Sequence, residues 1–95
     1  MLELRHLNTL TALRAHGSLA AAADELHVTA SAVSHQLKEL ENYYDISLVK
    51  RRTRPLTFTP AGKTVLALAD SIMPQVTRTK ANLKRLAHGQ AGRLR

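Results

Sequence analysis

Residues 17–40, GSLAAAADELHVTASAVSHQLKEL, decide the fold. Ser18 stands where an N-cap hydroxyl accepts a backbone N–H, ahead of LAAAADEL, a run of strong helix formers that predicts a short helix over 19–26. The alanines at 20–23 leave little side-chain bulk, so whatever packs on this helix approaches its backbone closely. Thr29 is a second N-cap residue and predicts another helix from Ala30 to Tyr43 or Tyr44. Two helices joined by a tight turn form a helix-turn-helix. Ala23, Leu26, Val28, Ala32, Val33 and Leu37 fall where such a pair needs a small contact residue and buried apolar ones. His27 occupies the turn position that favours glycine for a positive φ, a conformation that histidine adopts more readily than most side chains.

The flanks extend this unit. Upstream, Leu4, Leu7, Thr11 and Arg14, with Leu10 and Leu13 beside them, give an apolar stripe over a helix at 4–15, and Gly17 supplies its stop. Downstream, in ISLVKRRTRPLTFTP, Ile46 and Leu48, then Leu56 and Phe58, alternate around a charged centre, which predicts a short hairpin with a basic tip. Thr59 and Pro60 form an N-cap and first-turn pair that opens a last helix over 60–88. Along it Val65, Ala69, Ile72, Val76, Thr79, Leu83 and Leu86 are spaced alternately four and three apart, the seam of a heptad repeat. A core this small cannot cover such a seam, so a paired helix from a second chain is the simpler account. Pro74 removes one amide donor, and a kink rather than an end is expected there because the seam continues in phase. The closing HGQAGRLR loses the period, and Gly89 and Gly92 point to a hinge.

Composition narrows the function. At 95 residues the chain supports one small domain. It has no cysteine, which removes disulfides and thiolate metal sites and suits a reducing cytosol. No signal peptide and no membrane span are expected, because Glu3 and Arg5 interrupt the N-terminal apolar stretch and no run approaches spanning length. The net charge of +7 is uneven. Residues 1–45 carry three Lys/Arg and six Asp/Glu, or −3, whereas residues 46–95 carry eleven Lys/Arg and only Asp70, or +10. The second half is the one that attracts a polyanion. Three aromatic residues are too few for a single-strand stacking platform.

In a helix-turn-helix the second helix lies in the major groove with its N-terminal residues at base edges. Ala30, Ser31, Ser34 and His35 occupy its first two turns and are the candidate base readers, with Ala30 suited to a thymine methyl. Lys38 lies a turn further on and is assigned to phosphate, as are the N-cap residues Ser18 and Thr29. In the hairpin tip KRRTRP, Arg54 with Pro55 is the candidate for the minor groove, and Lys50, Arg51 and Arg52 are assigned to phosphates. Thr59 adds a hydroxyl or a helix-end amide. Solvated polar faces are the alternative explanation of both the helix face and the charge run. The five histidines show no ligand spacing, so no metal or other cofactor is expected. Adjacent Ser34 and His35 point apart on a helix and make no catalytic pair, so an enzyme is not expected. A basic module binding RNA or DNA without sequence choice, and a pure dimerisation module, remain as rivals.

The residues HLNTLTALRAHGSLAAAADELHVTASAVSHQLKELE, the later PLTFTPAG and their separation resemble the LysR-type transcriptional regulators of bacteria, over nearly the whole chain. GSLAAAADELHVTASAVSHQ with RPLTFTP is most similar to the subgroup that regulates methionine biosynthesis. The resemblance implies a mainly α fold: a winged helix-turn-helix over 1–59, with a short β-hairpin wing, followed by a long linker helix over 60–88 that serves dimerisation. Residues 89–95 would be a hinge toward an effector domain, GRLR resembling the start of its first strand, so the chain is expected to be a fragment. The resemblance further implies a cytoplasmic homodimer through antiparallel linker helices, tetrameric when intact in many members. Its target would be duplex DNA with an interrupted inverted repeat, and a small-molecule inducer would act only through the effector domain. By position, Ala30, Ser31, Ser34 and His35 match the recognition-helix contacts and Arg54 the wing residue. Many members have glutamine, proline and arginine where Ala30, Ser31 and His35 stand, so base preference does not carry over; glycine is common at Asp45 and phenylalanine at Val49, departures that bear on local geometry and not on the fold.

Overall fold

The computed structural model describes residues 1–93, and the side-chain surroundings of residues 1–89. Its elements run α1 (Leu4–His16), α2 (Leu19–Leu26), α3 (Ala30–Tyr44), β1 (Val49–Lys50), β2 (Thr57–Phe58) and α4 (Pro60–Arg93).

The helix boundaries follow from backbone groups that a helix end leaves unpaired. Gly17 ends α1 at φ 75°, its N–H donating to the Leu13 carbonyl at 2.8 Å. One residue later the Ser18 hydroxyl accepts from the Ala21 amide at 3.1 Å and starts α2. Thr29 starts α3 in the same way, accepting from the Ala32 amide at 3.0 Å. His27 (φ 59°) and Asp45 (φ 53°) hold the left-handed conformation at the ends of α2 and α3. Just beyond them, the Val28 and Ile46 amides donate back to the Ala23 and Glu41 carbonyls, both at 3.0 Å.

Leu10, Leu13, Val33, Leu37, Leu40, Leu48 and Leu66 form the centre of one core that all four helices share, and Ala22 and Ala23 let α2 sit close to it. Thr9, buried in α1, donates to the Gln36 side chain of α3 at 2.7 Å. Three residues expected on apolar faces are instead exposed. On α1 the buried row runs through His6, Leu10 and Leu13 with Leu7 beside it, which leaves Leu4 in the opening turn outside the layer. Val28 contributes its amide to the turn and its side chain to solvent. Ile46 falls before the hairpin begins.

The antiparallel hairpin has two residues per strand, pairing Val49 with Phe58 and Lys50 with Thr57. So small a pair is marginal by itself, and its anchors come from outside. The Leu56 amide donates to the Gly17 carbonyl at 2.9 Å, fastening β2 to the turn between α1 and α2. Thr59 caps α4 as expected, accepting from the Gly62 amide at 3.1 Å, and also donates its hydroxyl to the Ser47 carbonyl at 2.6 Å. At Gly62 an added Cβ would stand 2.1 Å from the Leu48 carbonyl oxygen, so the first turn of α4 lies directly on the chain entering β1.

Helix α4 packs mainly on α1. Arg14 and Asp70 lock the two together through a two-pronged ion pair at 2.6 and 3.1 Å. The helix runs through Pro74 without ending, and it continues through Gly89 to Arg93 rather than stopping at His88. One glycine weakens a helix by about 1 kcal/mol without breaking it, so loss of the apolar period does not mark an end here. The expected hinge at 89–95 lies in part on residues 94 and 95, outside the described residues.

Candidate nucleic-acid interface

One face of the first two turns of α3 stands clear of the core. Val33 and Leu37 turn inward, and this rotates Ala30, Ser31, His35 and Lys38 into solvent, with Ser34 half-buried between the two faces. His35 leaves three-quarters of its side chain accessible, and its Nε2 lies 3.8 Å from Glu39, one turn along the helix. The Thr29 and Ser18 side-chain oxygens accept the amides at their helix starts, which leaves each O–H hydrogen to donate outward. Both helix starts also carry unpaired amides and the positive end of the helix dipole, a setting that favours phosphate.

The wing approaches this face from the other side. Gly17, Ser18, Ala30, Arg51, Thr53 and Arg54 line one shallow open hollow between the start of α3 and the hairpin tip. Ser18, the start of α3 and the arginines Arg51 and Arg54 therefore belong to a single continuous surface. The tip is shaped by Thr53, whose hydroxyl donates to the Lys50 carbonyl at 3.0 Å and accepts from the Thr57 amide at 3.1 Å. Lys50, Arg52 and Arg54 are exposed and enter no ion pair among the described residues.

Two expected phosphate ligands are otherwise engaged. Thr59 spends its amide on the Leu48 carbonyl at 3.0 Å and its hydroxyl on Ser47, so it has no donor left for a phosphate. Arg51 pairs with Glu41 at 3.1 Å. Sequence reasoning passed over Glu41, although the signal was there: it stands four residues after Leu37, on the inward row of α3, where a carboxylate is out of place unless something answers it. Its side chain is only 12% exposed, and its Oε2 accepts the Leu48 and Val49 amides at 2.7 and 3.4 Å. The acid thus ties the end of α3 to the entry of the wing.

The heptad seam divides. Ala69 is buried, and Val65 packs against the core, because α4 packs on α1 and turns Leu66 and Ala69 into the shared interior. The seam's first two positions therefore serve the domain itself. Ile72 and Val76 are half-buried, and Thr79, Leu83 and Leu86 are exposed, the last two by about 60%.

Among the described residues no group of three or more His, Asp or Glu side chains is placed to hold a metal ion, and no helix is long and apolar enough to cross a membrane. His6, buried in α1, accepts the Glu3 amide through Nδ1 at 3.0 Å, and its Nε2 has no partner among the described residues. Burial first, and then the Arg5 charge, push its pKa below the usual histidine value.

Residues 4–63 match the family model described as bacterial regulatory helix-turn-helix protein, lysR family. The HTH-type transcriptional regulator MetR of Haemophilus influenzae is 45% identical over 94 residues, 99% of this chain and 30% of that protein. MetR of Salmonella typhimurium is 51% identical over 78 residues, 82% of this chain and 25% of that protein. The chain thus spans under a third of the length of these curated relatives. Among solved structures, BenM_DBD in complex with benA site 1 DNA superposes with a TM-score of 0.78 at 32% identity, covering 90% of this chain and 97% of that one.

Proposed function

From a chain that belongs to the LysR family of bacterial regulatory helix-turn-helix proteins, we propose a regulator that reads an interrupted inverted repeat as a homodimer and controls genes of methionine metabolism. The domain binds duplex DNA sequence-specifically, as the family and the DNA complexes of similar domains support. The observation that carries the finer reading is the single surface joining the start of α3 to the wing across Ser18. An α-helix fits the major groove, and a cation at a hairpin tip beside it reaches the adjacent minor groove.

On this reading Ala30, Ser31, Ser34 and His35 meet base edges. Lys38, Lys50 and Arg52, with the hydroxyls of Ser18 and Thr29, hold phosphates, and Arg54 beside Pro55 enters the minor groove. Residues 1–59 form the DNA-binding unit. The open part of the α4 seam, from Ile72 to Leu86, meets the same seam of a second copy. The similarity to MetR proteins supports the methionine assignment. Tetramer formation and control by a small-molecule inducer would belong to an effector domain beyond this chain, in a cytoplasmic, non-enzymatic regulator.

Selection of bound duplexes from a random pool at near-physiological salt tests the reading. The expected product is an inverted repeat with a fixed gap. Retention without enrichment, falling simply as salt rises, would instead assign the basic half to indiscriminate polyanion binding.

A further inference from the structure

The wing holds four cations in the five residues 50–54, yet among the described residues only Arg51 of these is paired, and its partner is a nearly buried carboxylate. We infer that Glu41 is a specificity-determining positioning residue: it withdraws Arg51 from the phosphate-binding charge and fixes the frame in which Arg54 meets DNA. The inference rests on the DNA-binding reading above.

The geometry divides the carboxylate between two tasks. Oε2 receives the Leu48 and Val49 amides, which sets where β1 leaves α3. Oε1 receives Arg51, whose side chain is 32% exposed and lines the hollow facing Ala30 and Arg54. A guanidinium at that edge with no acid behind it would be a free phosphate ligand. Paired with Glu41 its charge is offset, and because the carboxylate side of the pair is nearly buried, salt screens the pair less than it would two fully exposed charges. Phosphate contacts add affinity for every sequence alike, whereas groove contacts discriminate. Withdrawing one of the former lowers affinity for every sequence by the same factor; discrimination is held instead by the tether itself, because pinning Arg51 to Glu41 steadies the tip that carries Arg54 three residues on.

Counterion release supplies the readout. Each phosphate neutralised on B-DNA adds about 0.9 to the slope of log affinity against log salt. Between 50 and 200 mM salt, one added contact per wing therefore costs a further three- to four-fold in affinity, about that factor for each. The experiment measures binding to the selected duplex and to an unrelated duplex over that salt range, for the full chain and the variants Glu41→Gln, Arg51→Gln and the double variant. Glutamine retains an oxygen for the two amides while releasing Arg51.

Glu41→Gln is expected to steepen the slope by about 0.9 per wing on both duplexes, because the freed Arg51 meets phosphate whatever the sequence, and to lower the preference for the selected duplex several-fold because the tip that carries Arg54 loses its tether. Arg51→Gln in the native background is expected to leave the slope unchanged, and in the Glu41→Gln background to restore it. A merely structural role for Glu41 would move stability and not this slope. If Arg51→Gln alone flattens the native slope by about 0.9 per wing, Arg51 already lies on a phosphate and the inference is overturned. That single variant decides the matter even where Glu41→Gln does not fold. Should the native chain itself show no preference between the duplexes, the DNA-reading proposal fails instead.

Discussion

At the ends of α2 and α3 two residues with a Cβ, His27 and Asp45, occupy the left-handed region, where a side chain crowds the carbonyl that follows it. Relief of that crowding is partly offset by the greater freedom glycine has when unfolded. His27→Gly is therefore expected to stabilise the domain by about 1 kcal/mol, read as a Tm rise of about 4–8 °C in a thermal melt. An unchanged or lowered Tm would mean that the imidazole makes up the difference elsewhere. His6 sets a pH dependence of definite sign. Its pKa in the folded chain is depressed by burial, so on acidification the unfolded chain binds the proton first. The associated stability is present above the unfolded value near 6.5 and is lost as pH falls below it. Protonation would also cancel the bond that Nδ1 accepts from Glu3. Urea midpoints between pH 7.5 and 5.5 should fall for the native chain and fall less for His6→Gln; parallel curves would remove His6 as the cause. Asp70 follows the rule for acids. The Arg14 hydrogen bonds hold its carboxyl below the usual range, so the link it provides between α1 and α4 is lost as pH drops beneath that range.

At the scale of elements, α3 and the wing make different predictions because the proposed reading sets them in different grooves. His35→Ala is expected to relax discrimination at one or two base pairs, by about 1–3 kcal/mol each, leaving the salt slope in place. A uniform loss across all sequences would count against a base-reading role. Arg54→Ala should weaken binding and flatten the preference for narrow minor grooves, measured on duplexes that differ only in an A-tract at the wing position. Equal weakening on both duplexes would move Arg54 to a phosphate. The helical elements were legible in the sequence because their signals are local: Ser18, Thr29 and Thr59 each cap the helix they precede, and His27 takes the turn that its position demanded. What escaped depends on contacts across the chain. Glu41 stands on the inward row of α3, which marks it as anomalous in the sequence, but what answers it, the amides of Leu48 and Val49, is legible only in the fold. Thr59 was credited with a free hydroxyl because nothing local reveals Ser47 waiting twelve residues away. Leu4, Val28 and Ile46 have the right periodicity, but Leu4 opens α1 and the other two lie in connections between elements, and periodicity carries no information about where a packed layer stops.

For the whole molecule the decisive feature is a 34-residue helix rooted in a small domain, which gives an outline of 56 by 23 by 21 Å. Its inner end is committed to α1, and its outer end exposes Leu83 and Leu86. Ile72 and Val76 lie at the transition between the two, so replacing both with glutamate should abolish pairing while sparing the fold. Light scattering is expected to give the monomer mass, with weak binding to half-sites; an unchanged dimer mass would remove the seam assignment. The root of this helix also has a mechanical meaning. Because Gly62 bears only hydrogen where a methyl would strike the Leu48 carbonyl, the shaft is seated against the wing at one fixed angle. At 1.5 Å per residue the shaft is about 51 Å long, so each degree of tilt at its seat carries the far end about 0.9 Å. About four degrees then span one base-pair rise of 3.4 Å. In a pair joined along such shafts, a single absent carbon atom would act as the set-screw of a caliper, holding constant the span between its two heads.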